Sequence, residues 1–269
     1  MKRFNFTVIL LISCILVFSF NSQQAAAQQA GADQAVSIMD SAKNRITSDT
    51  VSSRSRMVIT AKNGTTTERL IDQYSKDGAN GARTVIVFQS PANVAGTRFL
   101  TMDNALGNSD QWIFLPSLGR LRRIASSESG GNFMGTDFSY DDISSMDREI
   151  ALDTHTLLRE EMLNGKQCYV IQYVPKGAYQ YSKTITWIDK SNYVIYKAEM
   201  YNRRGEVAKI MEMSDFKDIQ GRLSPVQTKI STVSAGTSTT IFMDIMKYDD
   251  PIPESVFTTA YLETGRATR

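Results

Sequence analysis

The sequence predicts a mainly β fold, an antiparallel barrel or strongly curved sheet of about 11 strands with one or two helices. Three observations predict it. Side chains alternate with period two from Arg54 to Met246. Turn signals punctuate that pattern at short, regular intervals. Several strands are apolar on both faces, so something must cover the second face of the sheet.

The elements follow in order. Residues 28–32 are a polar lead-in, and Asp33 is the N-cap of an amphipathic helix over about 33–47. Its apolar positions Ala35, Val36, Met39, Ala42 and Ile46 recur at helical spacing. The period then changes. Arg54, Arg56 and Val58 alternate with Ser55, Met57 and Ile59, and Asn63-Gly64 is a hairpin turn leading into a strand from Thr66 to Tyr74. Further strands are predicted over 82–89, 97–103, 110–115, 120–125, 153–163, 166–174, 182–189, 193–201, 206–216, 225–234 and 238–247. Asn164-Gly165, Arg204-Gly205, Gln220-Gly221 and Ala235-Gly236 mark turns between them. Ser139 to Ile150 reads as a short acidic helix capped by Ser139, with Asp141 and Asp142 in its first turn rather than in a calcium loop. Val85 and Val87 point one way and Ile86 and Phe88 the other, and Trp112-Ile113-Phe114-Leu115 is likewise apolar on both faces. A helix or a ligand with an apolar body would cover the second side.

The chain begins with Lys2-Arg3, an apolar stretch to Phe20, and Ala25-Ala26-Ala27, the pattern of a secretory signal peptide over residues 1–27. Leu11-Ile12-Ser13-Cys14 also reads as a lipoprotein cleavage box, but lipidation at Cys14 would leave Ile15-Leu16-Val17-Phe18 in the exported chain, so simple export is preferred. No later run is long enough to span a bilayer. Of 30 basic and 28 acidic residues, only Lys2 and Arg3 fall in the leader. The exported chain is therefore charge-balanced, which argues against a nucleic-acid binder. It keeps one thiol, Cys168, which shares an apolar strand face with Val170 and reads as a buried small hydrophobe. No internal repeat or long linker divides residues 28–269, which read as a single domain.

Catalytic chemistry finds little support. There is no Gly-x-Ser-x-Gly elbow, phosphate loop, dinucleotide fingerprint or Cys-x-x-Cys. With one histidine, His155, most zinc sites are excluded, and no metal or other cofactor is expected. His155 reads as a structural side chain at the solvent edge of a strand, on one face with Leu157; a lipid hydrolase using it with a serine is the alternative. Arg120, Arg122 and Arg123 form the one dense basic cluster. It is either the solvated face of a hairpin arm or a contact for lipid headgroups or an acidic partner. Methionines spread over several elements, Met134, Met211 and Met213 among them, suit a pocket for varied acyl chains and equally an ordinary core.

Four stretches carry a family resemblance: Ser90 to Leu100, Asp110 to Ile124 (DQWIFLPSLGRLRRI), Asn132 to Ile143 (NFMGTDFSYDDI) and, more weakly, Pro251 to Phe257. With the leader, they resemble the LolA-like group of outer membrane lipoprotein-sorting proteins. The resemblance implies an unclosed antiparallel barrel with helices over its mouth. It also implies an apolar cavity carrying the acyl chains of lipoproteins or lipids through the periplasm, with an inner-membrane transporter, as in systems with pumps of the RND type, and an outer-membrane acceptor as partners. A monomeric, non-enzymatic carrier is expected, and a non-carrying accessory protein of such a transporter is a further alternative. No stretch aligns with the lid-locking arginine of true LolA carriers. Phe88, Phe99, Trp112, Phe114, Met134, Phe138, Met211 and Met213 are the expected cavity residues.

Overall fold

The computed structural model describes residues 31–78, 81–103, 109–144 and 148–267. The expected signal peptide, residues 1–27, and Cys14 lie outside the described residues. Helix α1 occupies 31–43, shorter at its C-terminal end than the predicted 33–47. Thirteen strands follow: β1 (Thr50–Thr60), β2 (Thr66–Lys76), β3 (Arg83–Ser90), β4 (Arg98–Asp103), β5 (Ser109–Leu115), β6 (Arg120–Arg123), β7 (Asp153–Leu163), β8 (Lys166–Pro175), β9 (Lys183–Asp189), β10 (Ile195–Tyr201), β11 (Val207–Ile219), β12 (Arg222–Thr232) and β13 (Thr237–Tyr248). Among the described residues two short α-helices, α2 (Tyr140–Ser144) and α3 (Thr259–Thr264), accompany α1. Among the described residues no helix is long and apolar enough to cross a membrane.

All thirteen strands form one antiparallel sheet in the order β6-β5-β4-β3-β2-β1-β13-β12-β11-β10-β9-β8-β7. The barrel is unclosed, with β6 and β7 as its two edges. This order explains the interior. Hairpins join every sequential pair except β6 and β7, which lie at opposite edges. The chain between them, described over 124–144 and 148–152, enters the hollow of the sheet. It carries Phe133, Phe138 and Ile143, which are buried against Met57, Ile71, Ile86, Phe88, Phe99 and Ile230 on the concave face. The rings interlock: Phe133 meets Phe99 edge-on at 5.0 Å and Tyr140 at 5.4 Å. Each buried phenylalanine stabilises the fold by about 1.5–3 kcal/mol relative to exposure.

Polar contacts fix this crossing segment, here termed the plug. The Asp137 carboxylate accepts hydrogen bonds from the hydroxyls of Thr232, Thr237 and Thr239 on β12 and β13. Ser139 and Asp142 cap α2 reciprocally, Asp142 N–H donating to Ser139 Oγ at 2.9 Å and Ser139 N–H to Asp142 Oδ2 at 2.8 Å. Asp141 and Asp142 thus sit at a helix start, as the sequence predicts. The helix itself is described only as far as Ser144.

Helix α1 buries Ala35 and Ile38 against Ile171 of β8 and Ile188 of β9. Register places that patch on the concave side: Ile171 pairs with Thr186, Thr186 with Ala198, Ala198 with Met211 and Met211 with Ile230. Register shifts at Arg54/Ser55, Leu70/Ile71, Leu157/Arg159 and Met200/Tyr201 mark bulges, which bend the strands locally.

The convex face of β3–β5 has its own cover. Val85, Val87 and Leu100 pack against Val256, Phe257 and Leu262 of the C-terminal segment. Thr258 caps α3 by accepting from the Tyr261 N–H, and Gly265 ends it in the left-handed region at φ 66°. The second face of these strands is thus covered by protein.

Candidate functional site

A cavity of about 1200 Å³ opens on the concave side. It occupies the half of the hollow that the plug aromatics leave free, at the end where β1 begins and β2 finishes. Its floor is apolar: Met57 of β1, Ile71 of β2, Ile86 of β3 and Ile241 of β13, with Ile124 and Ile143 of the plug as a wall. Alternation along these strands sends Met57, Ile71 and Ile86 to the same face as Phe88, and their buried side chains join the same cluster. Towards the strand ends the floor becomes polar, through Gln73, Ser75, Thr84 and Gln111. The cavity is larger than the 300–1000 Å³ usual for small-molecule sites.

The mouth is charged and internally paired. Lys43 Nζ lies 2.9 Å from Glu149, and Arg148 pairs with Asp153 at 3.0 Å while lying over the Tyr179 ring. Lys76 pairs with Glu254 at 2.5 Å. Burial raises the Asp141 carboxyl above its ordinary value, partly opposed by a hydrogen bond with Ser129. Among the described residues no His, Cys, Asp and Glu side chains gather into a metal-binding group.

Known structures share this architecture. A DUF1329 family protein from Desulfovibrio piger superposes with a TM-score of 0.82 at 25% identity, covering 86% of this chain and 99% of its own. A protein from Vibrio parahaemolyticus, described as an outer membrane lipoprotein-sorting protein domain, gives 0.81 at 27% identity over 86% and 99%. A LolA superfamily protein from Nitrosomonas europaea has the same fold, with a TM-score of 0.69 at 23% identity over 84% and 98%. A family model described as "uncharacterized protein" matches residues 80–264. The chain belongs to the family of that model, and its fold is that of the LolA-like proteins. No curated protein matches it.

Five of the eight expected cavity residues come together, but in the plug contact rather than in the cavity lining. Phe88, Phe99 and Phe138 are fully buried on the concave side, but in the plug contact beyond the cavity. Met134 of the plug and Met211 of β11 pack against the same cluster. Met213 pairs with Thr228 on β12, away from the cavity lining. Trp112 and Phe114 lie on the opposite face. They pack with Leu121 and the C-terminal segment, and Arg98 sits over the Phe114 ring at 4.9 Å. Strand alternation is the reason: Ile113 pairs with concave Phe99, so its neighbours point outward.

The arginine cluster is an exposed strand with local partners. Arg122 pairs with Glu128 at 2.8 Å and Arg123 with Asp110, while Arg120 is exposed. His155 corrects a second expectation. It shares a face with Leu157, but it is 3% exposed rather than at the solvent edge. It packs beside the Tyr173 ring, its Nδ1 has no hydrogen-bond partner among the described residues, and burial holds its pKa below the ordinary value. Cys168 is fully buried next to Val170 and Trp187.

The residues that do line the cavity were not singled out from the sequence. Met57, Ile71 and Ile86 carry an alternation signal. What marks a cavity rather than a core is the change to Ser75, Thr84 and Gln111 towards one end of the same strands.

Proposed function

We propose that this LolA-like protein is a periplasmic carrier that holds the acyl chains of lipoproteins or lipids in the concave cavity and moves them toward the outer membrane. The observation that carries this reading is the large cavity in an unclosed barrel, lined about equally by polar and apolar groups with Met57, Ile71, Ile86 and Ile241 among the latter, blocked at one end by the plug and open at the other. Each methylene that leaves water for such a floor gains about 0.8 kcal/mol, enough to hold a chain without a chemical step. The Vibrio parahaemolyticus neighbour's description as a lipoprotein-sorting domain supports the same class of cargo.

No enzymatic step is part of this proposal. A serine hydrolase needs an oriented imidazole, and neither a hydroxyl nor a carboxylate of the described residues bonds His155 Nδ1. In the proposed cycle, a single lipid-binding domain, residues 28–269, acts as a monomer after export. It receives cargo from an inner-membrane transporter and yields it to an outer-membrane acceptor. The test is mass spectrometry of lipid extracted from protein purified out of its native periplasm. Stoichiometric acyl lipid or lipopeptide is expected, and its absence would overturn the proposal.

A further inference from the structure

The carrier reading leaves one part of the cavity unexplained. Across the concave side of four neighbouring strands runs a polar row in strict register: Ser75 on β2 pairs with Thr84 on β3, Thr84 with Thr101 on β4, and Thr101 with Gln111 on β5. Two residues along the same strands, about 7 Å away, the parallel row is Gln73, Ile86, Phe99 and Ile113. A cavity meant only for hydrocarbon would continue the apolar row.

The polar row is not internally satisfied. Ser75 Oγ and Thr84 Oγ1 bond each other at 2.9 Å, and Gln73 Nε2 donates to Ser75 Oγ at 3.3 Å. Gln111 is 4% exposed and Thr101 also 4%. Gln111 Nε2 donates to Ser144 Oγ at 3.1 Å and, more weakly, to the Tyr140 carbonyl at 3.5 Å on α2. A carbonyl can only accept, which fixes the amide with Nε2 toward α2. Its Oε1, like Thr101 Oγ1, has no hydrogen-bond partner among the described residues. A buried acceptor left unmade is costly, so such atoms are normally met by water or by a ligand.

We infer that Gln111, which lines the cavity beside buried Thr101, receives an uncharged hydrogen-bond donor of the cargo, at the point where its acyl chain begins. The inference rests on the carrier reading and names the headgroup chemistry of the same site. Gln111 Oε1 is acceptor-only, so the group it takes is an N–H or an O–H. The donor is neutral because every cation among the described lining residues has a carboxylate partner: Lys43, Lys76 and Arg148 at the mouth are each paired with one. Asp103 and Asp141 line the same cavity and disfavour an anion further. The shared chemistry is that of an N-acyl amide, as on a lipidated peptide, or of a glycerol hydroxyl, as on a neutral acylglycerol. The acyl chain then lies over Ile86, Ile71 and Met57.

The experiment measures binding of three probes with the same C16 chain to the full exported protein. They are an N-palmitoyl glycinamide, 1-monopalmitoylglycerol and methyl palmitate, which lacks a donor. A site with buried acceptors discriminates against a ligand that leaves them unpaired. At least one donor-bearing probe should bind roughly tenfold more tightly than methyl palmitate, and the amide and glycerol arms tell the two sources apart. In Gln111→Met that gap should close to within about twofold. Thr101→Val, beside Gln111 but outside the cavity lining, should leave the gap within about twofold of the wild-type value. Equal binding of all three probes by the wild type, or an undiminished gap in Gln111→Met, would overturn the inference and leave the carrier reading standing. Binding of none of them would overturn both.

Discussion

Lys209 of β11 and Asp142 of α2 form an ion pair at 2.7 Å with side chains 11% and 3% exposed. Tyr181 and Gln180 donate to the other oxygen of the same carboxylate, at 2.8 and 3.0 Å. The pair ties the plug to the far half of the sheet and so sets where the cavity ends. Asp142 in turn raises the Tyr181 phenol, an effect second to burial. Breaking a buried pair from one side leaves a charge without its partner. Lys209→Met should therefore destabilise the protein by about 3 kcal/mol in chemical denaturation. Lys209→Met with Asp142→Leu should cost less than the two single losses added together.

The two faces of the sheet give opposite expectations for Ser75 on β2 and Trp112 on β5. Ser75→Trp on the cavity floor should lower affinity for a fluorescent fatty acid at least tenfold, because the indole fills space the chain would occupy. Trp112→Ala, on the convex side, should leave that affinity within a factor of two. It should lower stability by about 2 kcal/mol through lost packing. Parallel titration and melting of both variants separate the effects.

The C-terminal cover should loosen in acid. Glu254 bonds both Arg83 and Lys76, and those contacts hold its carboxyl at about 2 against an ordinary 4.5. A depressed folded value contributes stability that is present above the unfolded pKa and is lost as pH falls from about 4.5 toward 2. Hydrogen exchange of α3 should rise through that window in the wild type. In Glu254→Gln it should already be raised at neutral pH and change less with acid.

His155 titrates in the same direction at higher pH. Burial keeps the imidazole neutral in the folded chain, while the unfolded chain takes up a proton as pH falls through about 6.5. The contribution is present above that value and is lost below it. Denaturation midpoints should fall from pH 7.5 to 5.5 in the wild type and fall less in His155→Leu.

The strands were legible because alternation and Asn-Gly or Arg-Gly turns are local signals, and Asn63-Gly64 indeed joins β1 to β2. The thirteen-strand total exceeds the expected 11 or so by a small margin. The choice of face was not legible for β5. Trp112-Ile113-Phe114-Leu115 is apolar in both phases, so only its pairing with β4 decides that Trp112 points outward. The plug was illegible for another reason. Phe133 opens a single 3-10 turn and Phe138 lies in irregular chain, with Met134 at φ 50°, and no periodicity marks them as core. Helix α3 is six residues long, too short to show a stripe, and its role depends on strands distant in sequence. His155 looked solvent-facing because it is close to a strand start, whereas β7 begins with Asp153 and His155 both buried.

The central claim is that an acyl chain lies on the concave floor. A fatty acid carrying a diazirine near its methyl end, photolysed in complex with the exported protein and mapped by peptide mass spectrometry, tests it most directly. Crosslinks are predicted at Met57, Ile71, Ile86 or Ile241, and they should disappear in Ser75→Trp. Crosslinks confined to the convex side around Trp112 and Phe114, or unaffected by Ser75→Trp, would contradict the account.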